Sequence, residues 1–142
     1  DAIDTIDHVY LVRFHTKFPI GIPERITPSF LQILRKSQKQ IVFVIHINHV
    51  KEWDQDIQQS LKKIASLGIP LLSQTVLLKR VNNEPQVLYE LFSTLSQNGI
   101  LPYYLHFLDP VLGAEDFYVS KKEWENLIHF IRSCMPGFFR RL

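Results

Sequence analysis

Polar side chains follow four apolar runs along this sequence, and their types suit the binding of a charged or polar ligand. Guanidinium, imidazole, carboxamide and carboxylate groups make directed and often charge-assisted hydrogen bonds. The four sets lie far apart in sequence: Arg13 with His15-Thr16-Lys17, then His46-Ile47-Asn48-His49, then Ser73-Gln74-Thr75, then Tyr103, Tyr104, His106 and Asp109. If the runs are parallel strands, their carboxyl ends share one face, so the sequence predicts that these sets converge on one pocket.

Each set also has a purely structural explanation, and the sequence leaves both interpretations open. A histidine such as His46 at the end of an apolar strand is often a hydrogen-bonded core residue. Asn48 suits the cap of a following helix as well as a ligand contact. Among the remaining candidates, Gln74 could hydrogen-bond the sheet edge, and Tyr103 and Tyr104 could be rim aromatics. Asp109, which precedes a proline, could be a turn residue.

A metal site within the chain is not predicted. His46 and Asn48 would point to the same side of a strand, where a His-x-His pair could offer two ligands, but asparagine is a poor substitute for the second histidine. The chain contains one cysteine, Cys134. It can therefore form neither an internal disulfide nor the cysteine ligand set of an iron–sulfur cluster.

The apolar runs begin near Val9, Ile41, Pro70 and Leu101, about 30 residues apart, and helical periodicity follows each one. The run Ile41-Val-Phe-Val-Ile45 is apolar at every position, which predicts a strand covered on both faces, as parallel strands are. The sequence therefore predicts an α/β fold of four βα units that form part of a parallel-stranded barrel of the TIM type. Closure of such a barrel takes about eight strands, and no Gly-rich phosphate fingerprint favours a nucleotide-binding open sheet.

The helices carry recognisable start and stop signals. Thr27 can cap the first, with Pro28 in its first turn. Ser120 and Glu123 form a predicted capping box for the fourth, whose apolar stripe is Trp124, Leu127, Ile128 and Ile131. The second helix ends before Gly68 and has one apolar face, made of Trp53, Ile57, Leu61 and Ile64. The third helix ends at Asn98-Gly99 and has a predicted buried stripe of Val87, Leu88, Leu91, Phe92 and Leu95.

Charge and composition bear on which classes of partner the protein can have. The 142 residues carry a net charge of +2, so the charge gives no reason to propose a nucleic acid partner, and we expect one domain over residues 1–142. No apolar run approaches the length of a membrane span and no segment resembles a signal peptide, so we expect no membrane partner. The single cysteine suits a cytoplasmic location. Because the first residue is Asp1 rather than methionine, we expect the natural start to lie upstream.

Five segments, in order, resemble the radical S-adenosylmethionine aminomutases of the lysine 2,3-aminomutase family. They are Arg13-Phe-His-Thr-Lys-Phe-Pro19, Pro23-Glu-Arg-Ile-Thr27, His46-Ile-Asn-His49, Gln74-Thr-Val-Leu-Leu-Lys79, and Pro102-Tyr-Tyr-Leu-His106 with Asp109. The sequence is most similar to the branch that makes β-lysine for elongation factor P. The resemblance covers essentially the whole chain and implies the C-terminal half of a radical S-adenosylmethionine barrel.

The resemblance implies an isomerase that moves the amino group of L-lysine from carbon 2 to carbon 3. It also implies S-adenosylmethionine, a [4Fe-4S] cluster and pyridoxal phosphate as cofactors, with the cluster cysteines and the pyridoxal lysine outside this chain. The chain alone is then expected to be inactive, with no catalytic residue of its own. By motif, Asp109 would bind the substrate ε-ammonium. His46 and Gln74 would contact S-adenosylmethionine, with Arg13 and Arg25 in support. Tyr103 and Tyr104 would lie beside the pyridoxal phosphate. An elongation factor P pathway and a homo-oligomer are left open.

Four departures from the family pattern bear on substrate and activity. Ser73-Gln74-Thr75 replaces Asn-Gln-Ser, Arg80-Val81-Asn82-Asn83 replaces Gly-Val-Asn-Asp, Asp116-Phe117 replaces His-Phe, and Pro136-Gly137-Phe138 replaces Ser-Gly-Tyr. A catalytically degenerate module that binds a partner on the same scaffold is therefore the alternative function. The missing metal ligands disfavour a third interpretation, a barrel hydrolase.

Overall fold

The structure is a computed structural model that describes residues 2–135. Strands and helices alternate along this part of the chain. The strands are β1 (Leu11–Thr16), β2 (Gln40–His46), β3 (Leu71–Val76) and β4 (Ile100–His106). The helices are α1 (Phe18–Gly21), α2 (Pro28–Lys36), α3 (Gln55–Ala65), α4 (Pro85–Gln97) and α5 (Lys121–Cys134), with single 3-10 turns at Ile3–Thr5, Pro23–Arg25, Val50–Glu52 and Glu115–Phe117. The predicted α/β class and the four βα units are thus confirmed.

The strands form one parallel sheet in sequential order, β1-β2-β3-β4. Between β1 and β2 the register pairs Arg13 with Val42 and His15 with Val44. Residues thus paired share a face of the sheet, because side chains alternate along each strand. The chain divides into two compact units, one built from the residues up to His46 with Trp53–Leu72, the other from Ile47–Glu52 with the residues from Ser73 onward.

The core of the first unit is centred on Phe43 of β2. Its ring stacks on Phe14 of β1 at a centroid distance of 4.8 Å and meets Phe30 of α2 edge-on at 6.4 Å. The next two residues, Val44 and Ile45, are also fully buried although their side chains point to opposite faces. The middle of β2 is therefore covered on both sides, as its unbroken apolar sequence predicts.

The helices of the first unit begin where a side chain satisfies their unpaired amides. Thr27 accepts a hydrogen bond from the Phe30 amide at 3.2 Å, which confirms the predicted cap of α2. For α3 the cap is Asp54, whose carboxylate accepts from the Ile57 amide at 2.8 Å. Because Asp54 has extended backbone angles, Trp53 precedes the helix, and its predicted place on the helix face is wrong.

The core of the second unit is the stripe predicted for α4. Four of its side chains are fully buried, together with the first residue of β4: Leu88, Leu91, Phe92, Leu95 and Ile100. The chain turns from α4 into β4 at Gly99, whose φ of +74° is a left-handed conformation that glycine adopts without strain. The capping box of α5 is present, with Ser120 and Glu123 bonded to each other's amides. Within residues 2–135, no helix combines the length and apolar character that a membrane span requires.

The third strand is longer than its sequence suggests. Ser73, Gln74 and Thr75 lie inside β3, which ends at Val76, and not in a polar tail after Leu72. Ser73 and Thr75 are fully buried, whereas Gln74 is half-buried. Small hydroxyl side chains fit a covered sheet face when a backbone group accepts their proton, and the Thr75 hydroxyl donates to the Ile47 carbonyl at 2.8 Å.

Candidate functional site

The carboxyl ends of β3 and β4 in the second unit form a shallow pocket of about 360 Å³. It brings together a carboxamide, an imidazole and a carboxylate, contributed by Gln74, His106 and Asp109. Its remaining wall is apolar and consists of Val76, Phe107, Leu108 and Val111. The structure thus places two of the predicted site residues, Gln74 and Asp109, in one pocket.

Strand alternation explains why Gln74 faces this pocket. Successive side chains of β3 point to opposite faces, and the two buried hydroxyl residues, Ser73 and Thr75, occupy the covered face. Gln74 and Val76 therefore share the other face, and both line the pocket. A shift of the strand by one residue would bury the amide and expose a hydroxyl, so the covered face fixes which side chain is available.

The predicted pyridoxal phosphate neighbours form an aromatic cluster on β4. The rings of Tyr103 and Tyr104 meet edge-on, with centroids 4.5 Å apart and planes 80° apart. Tyr104 also stacks on His106 at 5.1 Å. His106 lines the pocket, so the aromatic cluster reaches the pocket through this imidazole. The sequence singled out His106 as a strand-end residue but assigned it no role.

The loop after β4 carries Asp109 and is held at two points. The Tyr118 hydroxyl donates to the Asp109 carbonyl at 3.3 Å. Phe107 packs against Trp124 of α5, with ring centroids 4.5 Å apart. The first contact uses the backbone of Asp109 and leaves its side chain free of that bond; Asp109 is exposed and lines the pocket. The apolar lining residues of this loop were missed by the sequence analysis, although their position directly after a strand end was the available signal.

The other predicted site residues belong to the first unit. His46, the last residue of β2, is half-buried, and its Nε2 atom is shielded from solvent. The ring of His15 lies edge-on to it, with centroids 6.5 Å apart. Arg13 lies two residues before His15 and so on the same face of β1. The structure therefore brings together His15 and His46, which belong to two of the sets that the sequence predicted to converge.

Arg25 has a different environment from the other candidates. It ends the 3-10 turn Pro23–Arg25 and is exposed. Its guanidinium carbon lies 4.9 Å from the centroid of the Phe18 ring. A cation over an aromatic face at this distance is attracted by the ring quadrupole. The stack holds the guanidinium over Phe18 of α1, and its supporting role toward S-adenosylmethionine stays a prediction.

The polar residues after His46 have structural roles. The Oδ1 atom of Asn48 accepts from the Val76 amide at 2.9 Å. This bond replaces the helix cap, which was one of the two roles that the sequence left open for Asn48. The Glu52 carboxylate accepts from the amides of Asn48 and His49, at 2.7 and 3.0 Å. The His49 Nδ1 atom accepts from the Lys51 amide at 3.0 Å. In residues 2–135 no group of three or more His, Cys, Asp or Glu side chains is arranged to hold a metal ion.

Comparison with known proteins identifies relatives of this chain. It matches no protein-family model. L-lysine 2,3-aminomutase of Haemophilus influenzae is 41% identical to it over 136 residues, which are 96% of this chain and 40% of that protein. The enzyme of the same name from Buchnera aphidicola is 39% identical over 138 residues, covering 97% of this chain and 41% of the relative. That of Escherichia coli is 38% identical over 136 residues, covering 96% and 40%.

The chain thus spans about 40% of the length of these curated relatives. Identity at this level over 136 residues accompanies conservation of fold, and it extends across all five segments on which the resemblance was based. The sequence is therefore homologous, over nearly its whole length, to part of the L-lysine 2,3-aminomutases, and the family resemblance predicted from it is confirmed.

Proposed function

We propose that this chain is part of an aminomutase that moves the amino group of L-lysine from carbon 2 to carbon 3. The observation that carries the proposal is the pocket shared by Gln74 and Asp109. By motif, Gln74 corresponds to an S-adenosylmethionine contact and Asp109 to the partner of the substrate ε-ammonium. Their presence in one pocket supports a site where cofactor and substrate meet.

The chemistry of the pocket suits a long cationic amino acid. The exposed carboxylate of Asp109 can form a charge-assisted hydrogen bond with an ammonium group, which fixes the far end of lysine. Phe107, Leu108 and Val111 offer apolar surface to the methylene chain. Holding both ends of a flexible substrate orients the reacting carbons, which is the main contribution of the protein when cofactors supply the chemistry.

The motif resemblance assigns residues of this chain to two of the three implied cofactors. His46 and Gln74 would hold S-adenosylmethionine, with Arg13 and Arg25 supporting them, and Tyr103 and Tyr104 would flank the pyridoxal phosphate ring. When bound, S-adenosylmethionine provides the means to remove a substrate hydrogen, and pyridoxal phosphate holds the migrating amino group. The residues of this chain do not fit the [4Fe-4S] cluster, because Cys134 is its one cysteine.

Three finer statements belong to the same proposal. The four βα units would be part of a larger radical S-adenosylmethionine barrel, which needs about eight strands to close. Residues 1–142 would be a single domain of that barrel, its C-terminal half. The β-lysine product would serve the modification of elongation factor P, which is the role of the branch that the sequence resembles most.

The decisive experiment uses the complete gene product, reconstituted with iron and sulfide and supplied with reductant, S-adenosylmethionine, pyridoxal phosphate and L-lysine. We expect 5′-deoxyadenosine and β-lysine, both measurable by mass spectrometry. Asp109→Asn should raise the KM for lysine at least about tenfold by removing a charge-assisted contact. Glu115→Gln is the matched control, because Glu115 is an exposed acid outside the pocket.

The outcomes separate the two candidate functions. If the reconstituted protein cleaves no S-adenosylmethionine, the aminomutase proposal fails and the partner-binding module is favoured. If it turns over lysine with the same KM in the Asp109→Asn variant, the enzyme class stands but the assignment of Asp109 is wrong.

A further inference from the structure

We propose that Asn82 is a positioning residue for the S-adenosylmethionine-binding edge of the second unit, acting through Asn48 and Val76. The inference rests on the proposed function and assigns a role that the motif comparison does not supply. Asn82 lies in the loop between β3 and α4 and is fully buried. Its side chain lines no part of the pocket, so any effect on ligand binding must pass through the residues that it holds.

The carboxamide of Asn82 makes three hydrogen bonds to backbone groups. Its Nδ2 atom donates to the carbonyls of Asn48 and Val76, at 2.8 and 2.9 Å. Its Oδ1 atom accepts from the Leu78 amide at 2.7 Å. Both amide hydrogens and one oxygen lone pair are therefore used. The orientation of the carboxamide is fixed by its partners, since carbonyls only accept and an amide N–H only donates.

Both asparagine side chains hydrogen-bond to the backbone of Val76. Its carbonyl accepts from Asn82, and its amide donates to the Oδ1 atom of Asn48. A strand residue normally gives these groups to a neighbouring strand, but here two side chains take over as β3 ends. Because Val76 lies two residues after Gln74 and lines the same pocket, its position sets where the pocket wall lies beside the amide.

The segment after His46 is held by the same network. The Ile47 amide donates to the Gln74 carbonyl at 3.1 Å, and the Ile47 carbonyl accepts from the Thr75 hydroxyl. Asn82 then holds the next carbonyl, that of Asn48. Three hydrogen bonds thus join residues 47 and 48 directly to β3 around Gln74, and a fourth joins Asn48 to Asn82, which is itself bonded to Val76.

The same substitution at the two asparagines should have unequal effects, a large loss of binding at Asn82 and a small one at Asn48. In Asn82→Asp, an oxygen replaces the Nδ2 donor and faces two carbonyl oxygens, so two attractive contacts become repulsive in a buried site. In Asn48→Asp, the oxygen that accepts from Val76 is retained. The Glu52 carboxylate bonded to the Asn48 amide makes the added charge unfavourable, so we expect a small loss rather than none.

The test measures S-adenosylmethionine binding to the complete gene product by calorimetry, without reductant so that no turnover occurs. We expect Asn82→Asp to weaken binding at least about tenfold and Asn48→Asp by less than about threefold. Hydrogen exchange supplies a second readout. The amides of Ile47, Val76 and Leu78 should exchange faster in Asn82→Asp, whereas Val76 should keep its protection in Asn48→Asp.

A variant that fails to fold does not end the test. Thr75→Val has nearly the same shape and removes only the bond to the Ile47 carbonyl, so it loosens the same segment by another contact. We expect it to weaken binding about threefold or more. Wild-type affinity in both Asn82→Asp and Thr75→Val, or equal losses at positions 48 and 82, would overturn the inference. Absence of S-adenosylmethionine binding by the unaltered protein would instead overturn the proposed function.

Discussion

The hydroxyl of Ser60 donates a 3.0 Å hydrogen bond to the backbone carbonyl of Pro23, which ties α3 to the 3-10 turn that carries Arg25. Ser60 is 5% exposed. Ser73 presents a contrasting case in the second unit, because its hydroxyl is fully buried and has no hydrogen-bond partner among residues 2–135. The two serines therefore differ in what their hydroxyl groups contribute, and one substitution distinguishes them.

Ser→Ala at these two positions should change the free energy of unfolding in opposite directions. Ser60→Ala removes a bonded hydroxyl and leaves the Pro23 carbonyl without this donor, so we expect a loss of about 1 kcal/mol. Ser73→Ala removes a buried polar atom whose desolvation is not compensated, so we expect no loss or a gain of up to about 1 kcal/mol. Urea denaturation of both variants checks this. A larger loss at Ser73 than at Ser60 would show that the Ser73 hydroxyl has a partner in solution.

Replacing Arg80 with glycine should stabilise the folded protein. It is the one non-glycine residue with positive φ in the described chain, at +65°, and a side chain in this conformation costs roughly 1–2 kcal/mol. Glycine recovers that cost but loses more freedom on folding, by about 0.5–1 kcal/mol. We expect Arg80→Gly to stabilise the protein by up to about 1 kcal/mol in urea denaturation.

The control for Arg80→Gly is the neighbouring Lys79→Gly, which gains no relief from left-handed backbone and should be neutral or destabilising. If both variants lose stability equally, the conformation at position 80 imposes no cost. The family pattern that places glycine here is consistent with the expected direction.

The ring of His15 should support the proposed cofactor contact of His46. The edge-on arrangement of the two rings is worth about 0.5–1.5 kcal/mol beyond the area it buries. His15→Ala should therefore weaken S-adenosylmethionine binding by the complete gene product about two- to tenfold, whereas His15→Phe should retain most of the affinity. Calorimetry without reductant measures both. Equal losses in the two variants would mean that a polar atom of His15, and not its ring, is required.

Acid should loosen the start of α5. The hydroxyl of Ser120, at 2.6 Å, and then the Ser120 amide, at 2.9 Å, lower the pKa of Glu123 below its ordinary value. A lowered folded-state pKa means that the ionised carboxylate stabilises the fold above the unfolded-state pKa, about 4.3 for glutamate. This contribution is lost as pH falls from about 4.3 through the folded-state value.

The measurement for Glu123 must be site-resolved, because hydrogen bonds from the Ser37 hydroxyl and the Gln38 amide also lower the pKa of Asp4 in the first unit. Amide protection of Trp124, which donates to the Ser120 carbonyl at 3.0 Å, reports on the first turn of α5. We expect its protection to fall on acidification and the dependence to flatten in Glu123→Gln. An unchanged pH dependence in that variant would contradict the assignment.

Local signals in the sequence predicted local structure correctly. The caps at Thr27 and Ser120 depend on contacts within three residues, and both are present. The α4 stripe follows from helical periodicity alone. One error also concerned a local signal, whereas others arose where a distant group decides the outcome. Trp53 was placed on a helix because apolar spacing continues through it, but the Asp54 cap starts the helix later.

The polar residues near β3 give further examples. Ser73 and Thr75 were placed in the polar set that follows the apolar run ending at Leu72, yet the strand continues through them. For Asn48 the sequence left a helix cap and a ligand contact open, but its side chain accepts from the Val76 amide, 28 residues away. Asn82 was named only as part of the segment that departs from the family pattern and was assigned no role, since its bond to Asn48 spans 34 residues. Motif resemblance identified Gln74 and Asp109, whereas their common pocket depends on tertiary structure.

Because Phe107 packs on Trp124, tryptophan fluorescence can report on binding in the pocket. Phe107 lines the pocket and touches the indole, so a molecule that displaces its ring alters the surroundings of a fluorophore. The chain has two tryptophans, and the other, Trp53, belongs to the first unit. In a Trp53→Phe background, emission from Trp124 becomes an intrinsic gauge of occupancy at Asp109, free of any added label.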